Sequence, residues 1–133
     1  ENIAGNNKKF PGVLGTSVVK VNELTIAKTG ITEKEAIDHK MQYKSVIVTV
    51  NSHASYYPDP KPIYIKLVYD PKSLRLLGAQ MVGEEGVAKR IDIFANAIFN
   101  KMSTDEIGML DLSYAPPYAT VWDAVQIVSN VAK

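Results

Sequence analysis

The order of two hydrophobic periodicities along the chain most constrains its fold. Between Val18 and Val82 the apolar residues fall into short β-prone runs, and from Val87 onward they recur at helical spacing. Strands followed by helices are typical of α+β proteins, in which helices cover one face of an antiparallel sheet. A chain of 133 residues fits one domain of this kind. We therefore predict an α+β fold, an antiparallel β-sheet with helices packed on one face.

The strand pattern predicts a hairpin followed by a meander. The predicted strands are residues 18–21, 24–29, 43–50, 63–69 and 74–82. Asn22-Glu23 is a plausible tight turn, and Gly30 ends the second strand. The last three strands are joined by short proline- or turn-rich links, which imply antiparallel neighbours.

Apolar spacing and capping motifs predict the helices. These span residues 32–39, 87–99, 103–110 and 121–132. In two of them a hydroxyl residue is followed three positions later by Glu, as Thr32 by Glu35 and Ser103 by Glu106. Residues 111–118 contain two adjacent prolines, which exclude regular helix.

The chain lacks the residues or motifs that several classes of functional site require. Cys is absent, so no disulfide, thiolate nucleophile or Cys-ligated metal can form within it. His39 and His53 are far apart and predicted at the surface, so we expect no metal site. No GxGxxG or P-loop motif is present, and Gly83 to Gly86 has the wrong spacing for a phosphate cradle. A hydrolase would need a nucleophile–base motif that the sequence does not show.

Charge and hydropathy bound the partners. The net charge of +1 gives no strong global attraction to nucleic acid or to an anionic membrane. No apolar run approaches the roughly 20 residues that span a bilayer. The lack of Cys fits a reducing compartment, and we expect a cytoplasmic protein.

Two tyrosine-bearing segments are the candidate site. The first is Ser-Tyr-Tyr-Pro at 55–58, and the second is Asp-Leu-Ser-Tyr-Ala-Pro-Pro-Tyr at 111–118. A tyrosine beside a diproline is held on a stiff backbone, which limits the entropy lost on contact with a ligand. From the residues alone, these aromatics either seal loop ends over the core or line a binding or catalytic site. One alternative is therefore a free-standing homodimeric domain that binds a small ligand with its tyrosine loops.

An ordered series of motifs resembles a known family. They are Gly-Thr-Ser at 15–17, Ala-Lys-Thr-Gly at 27–30, Leu-Leu-Gly-Ala-Gln-Met-Val-Gly at 76–83, Ala-Lys-Arg-Ile-Asp at 88–92 and Leu-Asp-Leu-Ser-Tyr-Ala-Pro-Pro-Tyr at 110–118. The series is similar to the C-terminal dimerisation domain of the flavin-dependent pyridine nucleotide–disulfide oxidoreductases. The last two motifs resemble the subgroup of coenzyme A-disulfide reductases, NADH oxidases and persulfide reductases.

The resemblance implies a longer parent enzyme that uses FAD and NAD(P)H. An FAD domain would hold the flavin and the redox cysteine, and an NAD(P) domain would deliver hydride. Residues 1–10 resemble the end of the preceding flavin-domain helix and a linker, and residues 11–133 the dimerisation domain. The domain would form a homodimer and reach into the partner's active site. Alone it would bind neither cofactor and catalyse nothing.

The resemblance also assigns site residues. Tyr114 and Tyr56 would be the catalytic tyrosines, and Tyr114 with Ala115 and Pro116 would contact the flavin. We further expect Tyr57, Tyr118 and Trp122 to contact the substrate. Coenzyme A-disulfide enzymes carry Lys just before the Asp that follows this loop, where this chain has Trp122. Because Trp cannot pair with a phosphate, the acceptor stays open between coenzyme A disulfide, a persulfide and oxygen.

Overall fold

The computed structural model describes residues 2–5 and 7–133. Glu1, part of the predicted flavin-domain remnant, lies outside them; Asn2–Ala4 form a 3-10 turn. The strands are β1 (Ser17–Val21), β2 (Leu24–Gly30), β3 (Lys44–Asn51), β4 (Pro62–Tyr69) and β5 (Leu76–Gly83). The helices are α1 (Glu33–Asp38), α2 (Val87–Phe99), α3 (Thr104–Gly108) and α4 (Ala124–Val131). The predicted α+β class is confirmed.

The strands form one antiparallel sheet in the order β1-β2-β5-β4-β3. The predicted hairpin and meander are both present, and β5 joins them by pairing with β2. Lys28 lies opposite Gln80, and Gln80 lies opposite Lys66. The last strand of the meander, β5, is therefore the central strand of the sheet, and the chain continues from its end into α2.

The core lies between the sheet and the helices α2 and α4. Ile63, Ile65 and Leu67 alternate along β4 toward this side and are fully buried. They pack in one cluster with Phe94 of α2 and Val125 of α4. Burying a side chain of this size stabilises the fold by about 1.5–3 kcal/mol.

The opposite face of the sheet is largely open. Apolar side chains remain exposed there on four strands, β1 to β4, among them Val19, Ile26 and Ile47. One end of this face carries α1, whose Glu33 forms an ion pair with Lys66. The domain thus has surplus apolar surface on the face that α2 and α4 do not cover.

Two glycines allow a close backbone approach between β5 and the end of β2. Gly30 has φ of +65° and lies opposite Gly78. A Cβ added to Gly78 would lie 1.8 Å from the carbonyl oxygen of Ile31. The Leu-Leu-Gly-Ala-Gln motif therefore needs its glycine for backbone packing.

Some predicted bounds are wrong. The fifth strand begins at Leu76 and not at Leu74, because Leu74 adopts φ of +57° in the preceding turn. The last helix begins at Ala124 and not at Val121, because Asp123 caps it. The capping boxes at Thr32 and Ser103 are confirmed. Among the described residues, no helix has the length and apolarity needed to cross a membrane.

Candidate functional site

Two of the predicted site tyrosines meet at the surface. The hydroxyl oxygens of Tyr56 and Tyr114 lie 2.5 Å apart, although the residues are 58 positions apart in sequence. Tyr56 lies in the loop between β3 and β4, and Tyr114 lies in the loop between α3 and α4. Both side chains are exposed, Tyr56 at 73% and Tyr114 at 43%. The two phenols form a hydrogen-bonded pair that a second molecule or domain can reach.

The contact between the two phenols favours the protonated form of Tyr114. The hydrogen bond with Tyr56 is the main cause that raises the pKa of Tyr114 above its usual value, and desolvation adds to it. Only one of the two O–H groups can donate within the pair, so the other is free to donate elsewhere. A phenol that accepts one hydrogen bond becomes a better donor in the next. The pair can thus present one polarised O–H group to a ligand.

Short backbone contacts shape the two loops. The N–H of Ala54 donates to the carbonyl oxygen of Pro116 at 3.2 Å and links the loops directly. Within the second loop, the N–H groups of Tyr118 and Ala119 both donate to the carbonyl oxygen of Ala115. This turn and the fixed φ of Pro116 constrain the backbone next to Tyr114, where Ala115 and Pro116 are half-buried.

A buried arginine binds both loops. Arg90 lies on α2, and its Nη2 donates to the carbonyl oxygens of Ser52 at 3.0 Å and of Tyr118 at 3.1 Å. Its Nη1 donates to the carbonyl oxygen of Gly86 at 3.2 Å. One guanidinium therefore connects α2 to the backbone of each tyrosine-bearing loop.

Asp123 orients this guanidinium. Arg90 Nε lies 3.0 Å from both carboxylate oxygens of Asp123, and Nη2 lies 2.8 Å from Oδ2. The same carboxylate caps α4 by accepting from the N–H of Val125 at 2.9 Å. Gln126 completes a capping box at this end. The ion pair joins α2, α4 and the two loops in one buried network.

A cavity of about 320 Å³ lies beside this network. Arg90 and Asp123 line it together with Ile93, Leu112 and His53. The prediction that His53 lies at the surface is wrong, because its side chain packs into the loop and is only 5% exposed. Its ring meets Tyr57 edge-on at 5.5 Å, and its Nδ1 lies 3.2 Å from the carbonyl oxygen of Ala54. The loop that carries Tyr56 is thus packed from within by its own histidine.

Within the described residues, the other predicted aromatic site residues form no side-chain hydrogen bond with the tyrosine pair. Tyr57, Tyr118 and Trp122 are exposed, and in the described part of the chain none of their side chains hydrogen-bonds to Tyr56 or Tyr114. Tyr118 contributes its backbone oxygen to Arg90 and leaves its ring at the surface. Over residues 2–5 and 7–133, no group of three or more potential metal ligands lies together.

The family follows from comparison with known proteins. The model for the pyridine nucleotide-disulphide oxidoreductase dimerisation domain matches residues 16–125. The chain belongs to this family. The resemblance drawn from the motifs is confirmed.

The similar proteins are oxidoreductases. An NAD(P)H sulfur oxidoreductase (CoA-dependent) from Pyrococcus furiosus is 42% identical over 132 residues, which are 99% of this chain and 30% of that protein. A coenzyme A disulfide reductase from Staphylococcus aureus is 38% identical over 100% of this chain and 30% of its own length. The structure of an NAD-dependent persulfide reductase from A. fulgidus superposes with a TM-score of 0.94 at 42% identity, covering 99% of this chain and 25% of that one.

The dimerisation domain spans about 30% of the length of the curated relatives it matches. Its relatives are enzymes, and nothing in the comparisons favours a free-standing ligand-binding domain.

The sequence prediction missed the residues that support the tyrosine loops of this dimerisation domain. Arg90 belongs to the Ala-Lys-Arg-Ile-Asp motif, and it occupies the buried stripe of α2 with Val87 and Phe94. A charged residue on an apolar stripe is a detectable signal for a buried ion pair. Asp123 followed by Gln126 also matches the capping-box spacing and marks the true start of α4.

Proposed function

We propose that this domain forms a two-fold homodimer of an FAD-dependent NAD(P)H oxidoreductase and that its Tyr56–Tyr114 pair completes the partner subunit's active site. The observation that carries the proposal is the exposed hydrogen-bonded pair of phenols, 2.5 Å apart. Family membership and the relatives' greater length support it, because the remaining length can supply FAD and NAD(P) domains. We place the dimerisation domain at residues 11–133, with residues 1–10 as the remnant of the preceding domain and linker.

The Tyr114 loop fits the edge of a flavin ring. In the described part of the chain the backbone N–H groups of Tyr114 and Ala115 make no hydrogen bond, so both can donate to ring carbonyl oxygens. Pro116 keeps the loop rigid beside them. When bound, FAD would carry electrons from NAD(P)H to the disulfide. The role of this chain would be to hold and cover the partner's flavin.

The tyrosines would donate a proton or a hydrogen bond to a departing thiolate. A raised pKa fits Tyr114 as the donor within the pair, because its proton is then held by Tyr56. The O–H of the more exposed Tyr56 is then directed outward to the substrate sulfur. A phenol suits the role of a hydrogen-bond donor to a thiolate, because its O–H group can donate without a prior charge change.

The substrate would be a disulfide or persulfide of a thiol such as coenzyme A. The exposed rings of Tyr57, Tyr118 and Trp122 offer aromatic surface on the same two loops. Trp122 gives no charge for a phosphate, so we expect contacts to the organic part of the substrate. Coenzyme A disulfide, a coenzyme A persulfide and oxygen are the acceptors to compare.

A chimeric enzyme tests the proposal. Residues 11–133 would replace the matching segment of the Pyrococcus furiosus relative, which is 42% identical. We expect the chimera to bind FAD and reduce an acceptor with NAD(P)H. Tyr56→Phe and Tyr114→Phe should each lower kcat at least about tenfold, since a positioned proton donor contributes roughly 10²–10⁴-fold.

Tyr43→Phe is the matched control, because Tyr43 precedes β3 away from both loops. It should leave kcat unchanged. Full turnover in a folded, FAD-loaded Tyr56→Phe/Tyr114→Phe chimera would contradict the proposed role of the pair.

A further inference from the structure

We propose that Arg90, oriented by Asp123, is a positioning residue that holds the two tyrosine loops so that their phenols meet. The positioning itself is a property of this chain, and its importance for turnover rests on the proposed function above. The geometry behind it is a single guanidinium bonded to the backbone of both loops.

Few direct contacts fix the two loops relative to each other. Among the described residues, their direct hydrogen bonds are the phenol pair and the 3.2 Å bond from Ala54 N–H to the Pro116 carbonyl. Both tyrosines are exposed, so core packing does not fix their rings. An exposed phenol pair of this length requires the two backbones to be held in a fixed relation.

Arg90 fixes the two loop backbones relative to each other by donating to a carbonyl oxygen in each loop. Ser52 and Tyr118, whose carbonyls it binds, are each four residues from a tyrosine of the pair. Both bonds come from one nitrogen, Nη2, so the two carbonyl oxygens must converge on a single atom. Any shift of one loop along the other breaks one of these bonds.

The guanidinium itself cannot move freely. Asp123 binds Nε and Nη2, and the carbonyl of Gly86 accepts from Nη1. A Cβ added to Gly86 would lie 2.0 Å from Nη1, so only glycine leaves room for the guanidinium there. Asp123 is itself fixed as the cap of α4. The Arg90–Asp123 ion pair is thus held by α2 and α4, and Arg90 hydrogen-bonds to both tyrosine loops.

Stability alone does not account for a charged pair at this place. A buried ion pair is often no more stabilising than apolar side chains of similar volume. Apolar side chains, however, cannot bind two carbonyl oxygens at once. A planar fork that satisfies a carboxylate and carbonyls together is specific to Arg, and Lys cannot replace it geometrically.

The test is the titration of Tyr114 in this chain, followed by NMR of tyrosine ring carbons and assigned with Tyr114→Phe. Tyr56→Phe defines the value without the phenol pair. Arg90→Lys keeps the buried charge but loses the fork, and Arg90→Met with Asp123→Asn removes the pair without leaving a lone charge. We expect both to lower the Tyr114 pKa most of the way to its value in Tyr56→Phe.

Lys61→Met is the control. It removes the surface pair of Lys61 with Asp59 in the same connecting segment and should leave the Tyr114 titration unchanged. A folded Arg90→Lys variant, by circular dichroism, with the wild-type Tyr114 titration would overturn the proposal. If Arg90→Lys does not fold, a wild-type Tyr114 titration in folded Arg90→Met/Asp123→Asn would overturn the proposal in the same way.

Turnover in the chimera separates this proposal from the proposed function. If Arg90→Lys changes the titration while Tyr56→Phe leaves kcat unchanged, positioning is supported and the catalytic role of the pair fails. If Tyr56→Phe lowers kcat while Arg90→Lys alters neither titration nor kcat, the catalytic role stands and positioning is refuted.

Discussion

Removing Arg90 alone should destabilise the domain far more than removing both partners of its ion pair. In Arg90→Met the carboxylate of Asp123 stays in place with a side chain only 10% exposed. It loses the three hydrogen bonds that Arg90 donates to its two oxygens. Breaking a buried pair by deleting one partner costs about 3–5 kcal/mol, because an uncompensated charge remains. Against a typical stability of roughly 5–15 kcal/mol, this loss is large.

The second mutation should recover much of that loss. Asn at position 123 carries no charge, and its side-chain oxygen can still accept from the N–H of Val125 and cap α4. We expect Arg90→Met/Asp123→Asn to be more stable than Arg90→Met by about 2 kcal/mol, with a residual deficit from the carbonyls that Arg90 served. Asp123→Asn alone completes the double-mutant cycle.

Urea unfolding followed by circular dichroism measures these differences at one fixed chain concentration, because self-association would add to the apparent stability. Lys61→Met removes a partly exposed ion pair and should change the free energy of unfolding by no more than about 1 kcal/mol. If Arg90→Met behaved like Lys61→Met, or if the single and double variants were equally destabilised, the pair would not be the desolvated network described above.

Two further predictions concern the scaffold. Gly78→Ala should lower the free energy of unfolding by about 1–3 kcal/mol or more, because its Cβ would lie 1.8 Å from the Ile31 carbonyl oxygen; an unchanged urea midpoint would contradict this close approach. Acid should also weaken the fold. Hydrogen bonds from the backbone and hydroxyl of the cap residues lower the pKa of Glu35 and Glu106 below the usual 4.5. The stability they contribute is therefore present above pH 4.5 and is lost as the pH falls through their folded pKa values. Urea midpoints between pH 6 and pH 3 should show a smaller loss in Glu35→Gln/Glu106→Gln than in the wild type.

Local patterns were sufficient for most of the fold. The capping boxes at Thr32 and Ser103 are read from four consecutive residues, and the hairpin turn at Asn22-Glu23 is equally local. The pairing of β5 with β2 joins segments about 50 residues apart and depends on tertiary packing. Strand order was therefore not available from periodicity, whereas the α+β class was.

The site was predictable by residue type and not by contact. Tyr56 and Tyr114 stand out because they lie in rigid proline-containing loops, but their meeting depends on the way two distant loops fold together. The burial of His53 has the same origin, since a histidine in a proline-rich loop gives no local sign of an inward orientation. Arg90 could have been found, because it interrupts an otherwise apolar helical stripe.

Subunit complementation in the chimeric enzyme tests most directly whether this domain completes the partner's active site. One subunit would carry Tyr56→Phe and Tyr114→Phe, and the other would lack the redox cysteine expected in the flavin domain. Each homodimer should be nearly inactive. After the two are mixed through an unfolding and refolding step, half of the dimers are mixed, and each mixed dimer holds one complete site if the tyrosines act across the interface. The account predicts recovery of about a quarter of the parent activity, as two-fold symmetry requires. No recovery, in mixed dimers shown to form and to bind FAD, would contradict it.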